Sequence, residues 1–362
     1  MEQPAPRLRR FGSTDLQVSE IGFGCSSLGT VLGHDADQDG LRAVEYALDR
    51  GINFFDTADA YSLGNSERLL GRAVHKKRDK VIIATKGGSR FTPGWRFALQ
   101  SIPFLAPLRR PLRPFKRFLN LLRHSQKQYD YSDQQLRRAV EASLTHLHTD
   151  YIDVYQLYNP TPEVLEAGDF LTTLEGLKKE GKIRYYGVSC RTAEDALLCL
   201  RHPGISSVQL PVSMVDQAAL DSVIPGLAER GVAVIAREPL GQGLLTGTLG
   251  RTLAEEGARS LAEINERKRR SVEFSVFAAP RRTMAQAAMH FVLQVPGVST
   301  VIPGIAKVEQ LEENLGALNA PQLTREEYAR ARSMSASCPA ARPSARPPVR
   351  PLYFPPRHLD PK

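Results

Sequence analysis

The sequence predicts an α/β protein built as a closed (β/α)8 TIM barrel with an N-terminal β-hairpin. Eight short apolar runs recur along the chain, amphipathic helical patterns separate them, and 362 residues are within the length of one such barrel. An open doubly wound sheet is the alternative. We place it second because the glycines of "GFGCSSLG" (22–29) lack the GxGxxG spacing of dinucleotide-binding folds.

The first predicted element is the β-hairpin, because "LRRFGSTDLQVSE" (8–20) alternates around a Gly-Ser-Thr-Asp turn. The barrel strands follow it. Those that read as continuous apolar runs suit a parallel sheet that is covered on both faces. Their predicted ranges are 20–28, 51–58, 80–86, 151–158, 182–189, 206–213, 232–238 and 298–304.

The helices between these strands show apolar residues at helical spacing. In "DGLRAVEYALDRG" (39–51) these residues lie on one face, and Gly51 provides a C-cap. "SDQQLRRAVEASLTHL" (132–147) opens with Ser132 as its N-cap. "TREEYARARSM" (324–334) is predicted to be the final helix.

Composition excludes several classes of protein. An apolar content of 42% excludes a disordered chain. No apolar stretch approaches the roughly 20 residues that span a bilayer, and "MEQPAPRLRRFGS" contains no apolar signal-peptide core. The four cysteines lack metal-ligand spacing and are too few for a disulfide framework. We therefore expect no metal site and a reducing, cytoplasmic location.

Positive charge is concentrated in two segments, although the net charge of the whole chain is only +9. Residues 87–129 contain nine Lys or Arg residues and no acid, and the tail from 340 to 362 contains five against one acid. The remaining body is therefore mildly acidic. For this reason the overall isoelectric point says little about an active site.

The active site of such a barrel lies at the carboxyl ends of its strands. Three residues near these ends suit hydride transfer to a carbonyl: the carboxylate Asp56, the ammonium Lys86 and the loop phenol Tyr61. The phenol can protonate the oxyanion that hydride transfer leaves. It can do so if a cation stabilises the phenolate, and the carboxylate would hold that cation in place. The alternative is a plain ion pair beside a loop aromatic. The other residues at predicted strand ends are Tyr158, Asn159, Ser189, Cys190, Gln209, Arg237, Pro303 and Gly304.

Longer motifs resemble the aldo-keto reductase superfamily. They are "INFFDTADAYSLGNSERLLGRAV", "VIIATK", "YIDVYQLY", "GKIRYYGVS", "VAVIAREPLGQGLLTG" and "VSTVIPGIAKVEQLEENLGAL". The likeness runs from about Arg9 to Ser333, and it is greatest to the bacterial branch carrying "ARxPLxxGLLTG" and "IPG…Q…EN". The resemblance implies a barrel that binds NADPH in extended form. It assigns Asp56, Tyr61 and Lys86 to the catalytic tetrad, with Tyr61 as proton donor.

The fourth tetrad position departs from the family, which usually has histidine at the end of strand four where this chain has Tyr158. A phenol can also donate to an oxyanion, so Tyr158 would keep the electrostatic role and reshape the pocket. Alternatively, Tyr158 blocks ketone reduction or is only an aromatic wall. A reductase with altered substrate geometry, a different reaction on the same cofactor and a weak or inactive enzyme all stay open.

The resemblance implies that the residues at positions 189, 190 and 209 hydrogen-bond the nicotinamide carboxamide. In this chain they are Ser189, Cys190 and Gln209. Cys190 replaces the usual asparagine, so one polar contact is lost or passes to water. Arg237 replaces an aromatic ring that stacks on the nicotinamide in many members, and a planar guanidinium can stack as well.

The same resemblance implies which residues bind the pyrophosphate and the adenosine of the cofactor. Many members have an arginine at position 310 and another at 306, where this chain has Gln310 and Ala306. Lys307 is the remaining nearby cation, so NADPH is the first choice and NADH is possible. The pyrophosphate residues are Leu240, Gly241 and Gln242, and the adenosine residues are Gly304, Lys307, Gln310, Glu313 and Asn314.

We expect a barrel domain over 1–338, a basic loop insertion within it at 88–130, and a Pro/Arg-rich tail at 339–362. "LRPFKRFLNLLRHSQKQY" (112–129) predicts an amphipathic basic helix that would form a lid over the barrel mouth. Recognition of an anionic substrate, or contact with a membrane surface or partner protein, are alternatives. No nucleic-acid-binding motif accompanies the charge.

Two classes of function follow. The first is an NADPH-dependent reductase of a small-molecule aldehyde or ketone, and the second is a cofactor-binding regulatory or accessory subunit. The Asp56, Tyr61 and Lys86 set favours the enzyme. We expect a monomer or a weak oligomer, and one sequence does not identify the substrate.

Overall fold

The fold is known from a computed structural model that describes residues 5–29, 34–91, 127–246 and 261–336. The strands of these residues are β1 (Leu8–Arg10), β2 (Gln17–Ser19), β3 (Phe23–Gly24), β4 (Phe54–Asp56), β5 (Ile82–Gly87), β6 (Ser89–Phe91), β7 (Lys127–Tyr129), β8 (Ile152–Tyr158), β9 (Ile183–Ser189), β10 (Ser207–Pro211), β11 (Ala233–Arg237) and β12 (Val298–Ile302).

Eight of these strands form the barrel, in the spatial order β3, β4, β5, β8, β9, β10, β11 and β12, with every neighbouring pair parallel. The barrel closes between its first and last strands through parallel bridges from Ile21 to Val301 and from Gly24 to Gly304. The predicted (β/α)8 barrel is therefore confirmed. The strands are shorter than the apolar runs that predicted them, because the ends of each run enter the loops.

Helices occupy the connections between the barrel strands. The longer ones are amphipathic and pack their apolar faces on the outward side chains of the strands in one continuous core. They are α1 (His34–Asp49), α2 (Asn65–Val74), α3 (Asp133–Leu147), α4 (Pro162–Ala167), α5 (Phe170–Lys179), α6 (Ala193–Cys199), α7 (Ala219–Ser222), α8 (Ile224–Glu229), α9 (Leu261–Phe274), α10 (Met284–Leu293), α11 (Val308–Gly316) and α12 (Arg325–Ala336).

The N-terminal hairpin closes one end of the barrel. β1 and β2 pair antiparallel, with Leu8 opposite Ser19, as predicted. Phe11, Leu16 and Val18 are buried in a second core with the inward side chains of the barrel strands. This interior core is Phe11, Leu16, Val18, Phe54, Ile82, Ala84, Val154, Ala233, Ile235 and Ile302.

The predicted helix ends are correct in position but not always in mechanism. Gly51 follows α1 with a φ of 81°, the left-handed conformation that a C-cap requires. Ser132 precedes α3 in an extended conformation, but its side chain makes no capping hydrogen bond. The final helix, α12, begins at Arg325 and so falls where the pattern placed it.

The basic insertion begins and ends as an antiparallel pair of strands. Ser89 of β6 pairs with Tyr129 of β7, and Phe91 pairs with Lys127. The predicted helix over 112–129 is therefore wrong for its last three residues, because their backbone is used in this ladder. Residues 112–126 and the tail at 339–362 lie outside the described residues. No helix in the described ranges is long and apolar enough to cross a membrane.

Candidate active site

A polar layer lies directly above the apolar interior of the barrel. Side chains alternate between the two faces of a strand, so residues two positions beyond an inward apolar residue also point inward. Phe54, Ala84, Val154 and Ile235 belong to the interior core. The inward residues that follow them at the carboxyl ends are Asp56, Lys86, Gln156 and Arg237.

Lys86 and Asp56 form a buried ion pair in this layer. The Lys86 Nζ donates to Asp56 Oδ2 at 2.6 Å and to the Thr57 carbonyl oxygen at 2.8 Å. The exposed fractions of Lys86 and Asp56 are 0% and 3%. A buried charge is costly unless it is paired and hydrogen-bonded, and here both conditions hold.

Two glutamine side chains complete the shell of Asp56. Gln156 Nε2 donates to Asp56 Oδ1 at 3.2 Å, and Gln209 Nε2 donates to the same oxygen at 2.8 Å. The Ser189 hydroxyl donates to Gln209 Oε1 at 3.3 Å. Ser189 and Gln209, assigned from the sequence to the nicotinamide, thus lie in one network with the carboxylate.

Gln156 is a site residue that the sequence analysis missed. It lies two positions before Tyr158 in "YIDVYQLY" and therefore shares its inward face. Applying the two-residue alternation to every position of β8, rather than only to its end, would have identified it.

Tyr61 is the first residue of a tight turn between β4 and α2. The turn spans Tyr61–Gly64, and Ser62 and Leu63 have φ angles of 49° and 59°. The ring centroid of Tyr61 is 5.1 Å from Lys86 Nζ. The left-handed residues turn the chain sharply between β4 and α2, so that the phenol stays beside the ion pair.

Tyr158 contacts Tyr61 edge to face, with ring centroids 6.3 Å apart and an angle of 87° between the ring planes. A hydrogen bond also joins the two side chains. The backbone carbonyl of Tyr158 accepts a hydrogen bond from the Tyr131 hydroxyl at 2.9 Å. The structure therefore brings all four predicted catalytic side chains into one cluster.

Burial raises the pKa of both phenols. For Tyr61, burial is the largest cause and the Asp56 charge adds to it, whereas Arg237 and the hydrogen bond from Tyr158 lower the pKa. For Tyr158, burial is again the largest cause, followed by Tyr61, and Lys86 opposes them. Both phenols are consequently protonated at neutral pH.

Arg237 lies at the edge of this cluster. Its Nη2 donates to the Cys190 carbonyl oxygen at 3.2 Å, and its Nη1 pairs with Glu238. Its Nε is buried and has no hydrogen-bond partner among the described residues. A planar guanidinium with an unused donor at the barrel mouth is compatible with a planar, polar ligand such as a nicotinamide.

The Cys190 thiol faces the outer core rather than the polar layer. Its sulfur lies 3.6 Å from the sulfur of Cys199 on α6, and both residues are buried. The contact with Cys199 and burial raise the pKa of Cys190. What Cys190 presents at the mouth in this structure is its carbonyl oxygen, which Arg237 binds.

The loop after β11 is a tight turn built from left-handed residues. Glu238, Gly241, Gln242 and Gly243 have φ angles of 57°, 57°, 54° and 83°. Three of these left-handed residues, 241–243, are consecutive, and glycines in such a turn allow a ligand to approach the backbone closely. Leu240 is half-buried and packs on the core, so it anchors this loop.

The segment after β12 leaves several groups for an adenosine. Gly304 is exposed, and Asn314 has an exposed fraction of 2% with no described partner for its Nδ2. Lys307 is exposed. Gln310 is already used, because its Oε1 accepts from the backbone N–H of Ala306 at 2.7 Å, and Glu313 binds the Thr283 hydroxyl. These features and the Glu238–Gly243 turn are compatible with a nicotinamide dinucleotide.

Comparison with known proteins decides the family. Residues 20–336 match the model of the Aldo/keto reductase family. The chain belongs to this family. As an aldo-keto reductase it is an NAD(P)H-dependent oxidoreductase, in agreement with the resemblance inferred from its motifs.

Several similar proteins support the same assignment. The uncharacterized oxidoreductase YqkF of Bacillus subtilis is 32% identical over 336 residues, which cover 90% of this aldo-keto reductase and 96% of YqkF. The NADH-specific methylglyoxal reductase of Escherichia coli is 28% identical over 321 residues, covering 85% and 92% of the two chains. Among solved structures, aldo-keto reductase AKR11C1 from Bacillus halodurans has a TM-score of 0.71 at 30% identity, covering 91% of this chain and 96% of AKR11C1.

Proposed function

We propose that this aldo-keto reductase reduces an aldehyde or ketone to an alcohol, with Tyr61 as the proton donor. The observation that carries the proposal is the buried Lys86–Asp56 pair, joined at 2.6 Å, which lies directly beside the two contacting phenols of Tyr61 and Tyr158. A bound reduced nicotinamide supplies hydride to the carbonyl carbon. The residues of the chain hold the carbonyl and deliver the proton.

In this mechanism the proton moves from the Tyr61 hydroxyl to the oxygen of the reduced carbonyl. Because its pKa is raised, Tyr61 holds the proton until a strong base is produced beside it. The Arg237 guanidinium, whose charge lowers the pKa of Tyr61, then stabilises the Tyr61 anion. The Asp56 carboxylate fixes the Lys86 side chain, so its Nζ is held 5.1 Å from the centroid of the Tyr61 ring.

Tyr158 takes the position that histidine occupies in most of the family. We propose that its hydroxyl binds the carbonyl oxygen together with Tyr61, because the two rings are in contact and share a hydrogen bond. The tyrosine is longer than histidine, so the substrate carbonyl would sit differently from that of typical members.

For the cofactor we propose NADPH, held at the nicotinamide by Ser189, Gln209, Arg237 and the backbone of Cys190. The Glu238–Gly243 turn would hold the pyrophosphate. Exposed Lys307 supports the choice, since only NADPH carries a 2′-phosphate for it. The NADH-specific relative in Escherichia coli makes NADH the alternative to test.

The test is to follow oxidation of NADPH and of NADH with a panel of aldehydes and ketones. We expect turnover with at least one carbonyl substrate and a lower KM for NADPH. The Lys307→Ala variant should raise the KM for NADPH and leave that for NADH unchanged. Absence of turnover with every carbonyl and both cofactors would contradict the proposed reaction, and equal losses for the two cofactors would remove Lys307 from its role.

A further inference from the structure

We propose that Arg191, together with Tyr129 and Tyr131, forms a subsite for a carboxylate on the substrate, so that the protein reduces carbonyl compounds that bear an acid group. This inference rests on the proposed function, because the subsite is defined by its contact path to the proton donor Tyr61. None of these three residues is among the catalytic or cofactor-binding residues assigned above.

Arg191 is at the mouth of the barrel. It follows the last residue of β9, Ser189, by two positions, at the carboxyl end where the polar layer lies. Its Nη2 donates to the Tyr129 hydroxyl at 2.7 Å, and its Cζ lies 5.6 Å from the centroid of the Tyr129 ring. These two contacts hold the half-buried guanidinium against the aromatic side chain.

A series of tyrosine contacts, which we call the aromatic wall, connects Arg191 to the proton donor. The Tyr129 and Tyr131 rings stack with centroids 6.3 Å apart and an angle of 19° between their planes. Tyr131 donates to the Tyr158 carbonyl oxygen, and the Tyr158 ring meets Tyr61. A flat substrate could therefore lie along this wall with its carbonyl at Tyr61 and an anionic end at Arg191.

The position of Tyr131 in this wall depends on a glycine. Gly88 has a φ of 96°, and a Cβ built on it would lie 2.3 Å from Cε1 of Tyr131. Only a residue without a side chain lets the ring pack there. The wall therefore depends on close packing of Tyr131, in the segment after β7, against Gly88 in the β5–β6 connection.

Arg191 differs in its electrostatic surroundings from Arg237, the other arginine at this mouth. Arg237 pairs with Glu238. Within the described ranges, the Arg191 guanidinium makes one hydrogen bond, to a phenol, and no ion pair. A partly buried cation without a counter-ion favours binding of an anion.

A carboxylate is the anion that matches this geometry. The guanidinium presents N–H donors in a planar fork that bonds both oxygens of a carboxylate, and only one nitrogen is committed to Tyr129. An aromatic or extended spacer between the acid and the carbonyl would contact the tyrosine rings.

The test uses two aldehydes, the anion 4-formylbenzoate and its uncharged methyl ester. We expect the wild type to prefer the acid, and the ratio of kcat/KM for acid over ester to fall by about 10–100-fold in Arg191→Gln, as expected for loss of a charge-assisted hydrogen bond. Arg201→Gln is the matched control, because it removes the same charge from an exposed arginine just beyond α6. Its ratio should equal that of the wild type.

A binding measurement separates this inference from the proposed function. Calorimetry with 4-(hydroxymethyl)benzoate and its methyl ester needs no turnover, and we expect the acid to bind Arg191→Gln at least about 10-fold more weakly. If aldehydes are reduced but the acid-to-ester ratio is the same in Arg191→Gln, the subsite is wrong and the reductase stands. If no aldehyde is reduced and Arg191→Gln still loses acid binding, the subsite stands and the reaction is wrong. Equal acid binding by wild type and variant overturns the subsite.

Discussion

Tyr61 and Tyr158 are two half-buried phenols in contact, with ring centroids 6.3 Å apart, beside a buried ion pair. A proton donor must keep its proton before the reaction and lose it when an oxyanion forms. Burial meets the first requirement by raising the pKa of both side chains. The second requirement falls to Arg237, which lowers the pKa of Tyr61, so different groups meet the two requirements.

Replacing Tyr61 by phenylalanine removes the proposed donor and keeps the ring. We expect kcat to fall by about 10²–10⁴, the usual contribution of general acid catalysis, with the affinity for NADPH nearly unchanged. Steady-state kinetics and a fluorescence titration of the cofactor measure the two quantities. Turnover close to that of the wild type would transfer the acid role to Tyr158.

Replacing Tyr158 by phenylalanine separates its hydroxyl from its ring. If the hydroxyl bonds the reacting oxygen, kcat/KM should fall by an amount equivalent to about 1–3 kcal/mol. Tyr158→His is the companion variant, and we expect it to raise activity on simple aldehydes by restoring the residue usual in the family. If Tyr158→Phe matches the wild type on every substrate of the panel, Tyr158 is only a wall of the pocket.

At the scale of single elements, the Tyr61–Gly64 turn positions the proton donor. Its end is held by Gly64, which has a φ of 83°, and a Cβ there would lie 2.6 Å from the His146 ring. That ring binds Glu67, a fully buried carboxylate on α2, at 2.9 Å. The turn therefore cannot move without disturbing the contact between α2 and α3.

The Gly64→Ala variant tests this coupling. Strain from the left-handed backbone should cost about 1–2 kcal/mol of unfolding free energy, and the collision with His146 should also displace Tyr61 and lower kcat. Gly181→Ala is the matched control, because Gly181 has a φ of 75° but no atom within 4 Å of a built Cβ. Denaturation curves and kcat should show a stability loss in both variants and a catalytic loss in Gly64→Ala alone. Equal kcat values would mean that the turn does not position Tyr61.

At the scale of the whole molecule, the barrel is divided into an apolar end and a polar end. The hairpin residues Phe11, Leu16 and Val18 fill the first, and the shell of Asp56 and Lys86 occupies the second. The apolar layer beneath the ion pair excludes water from it, which strengthens the electrostatic interactions of the site. Stability and chemistry therefore depend on opposite ends of the same barrel.

Truncating a hairpin side chain that fills the apolar end of the barrel should lower stability. Phe11 is fully buried among the interior side chains, so Phe11→Ala should lower the unfolding free energy by about 3–5 kcal/mol. Leu8→Ala is the control on the same hairpin, because Leu8 is 57% exposed and its loss should cost less than about 0.5 kcal/mol. Urea denaturation compares them. Similar midpoints for the two variants would show that the hairpin does not close the core.

The sequence by itself determined the barrel and its strand positions, because the spacing of apolar residues and the order of the elements can be read locally along the chain. It also determined the grouping of Asp56, Tyr61 and Lys86, because parallel strands bring their carboxyl ends to one end of the barrel. Tertiary structure decided what the side chains contact. It turned Gln156 onto Asp56, turned the Cys190 thiol toward Cys199, and placed Tyr129 in a strand opposite Ser89 rather than in a helix. These outcomes depend on partners distant along the chain, and no local pattern specifies them. Arg191 acquires its aromatic wall for the same reason, since the rings come from segments that only the closed barrel brings to one mouth.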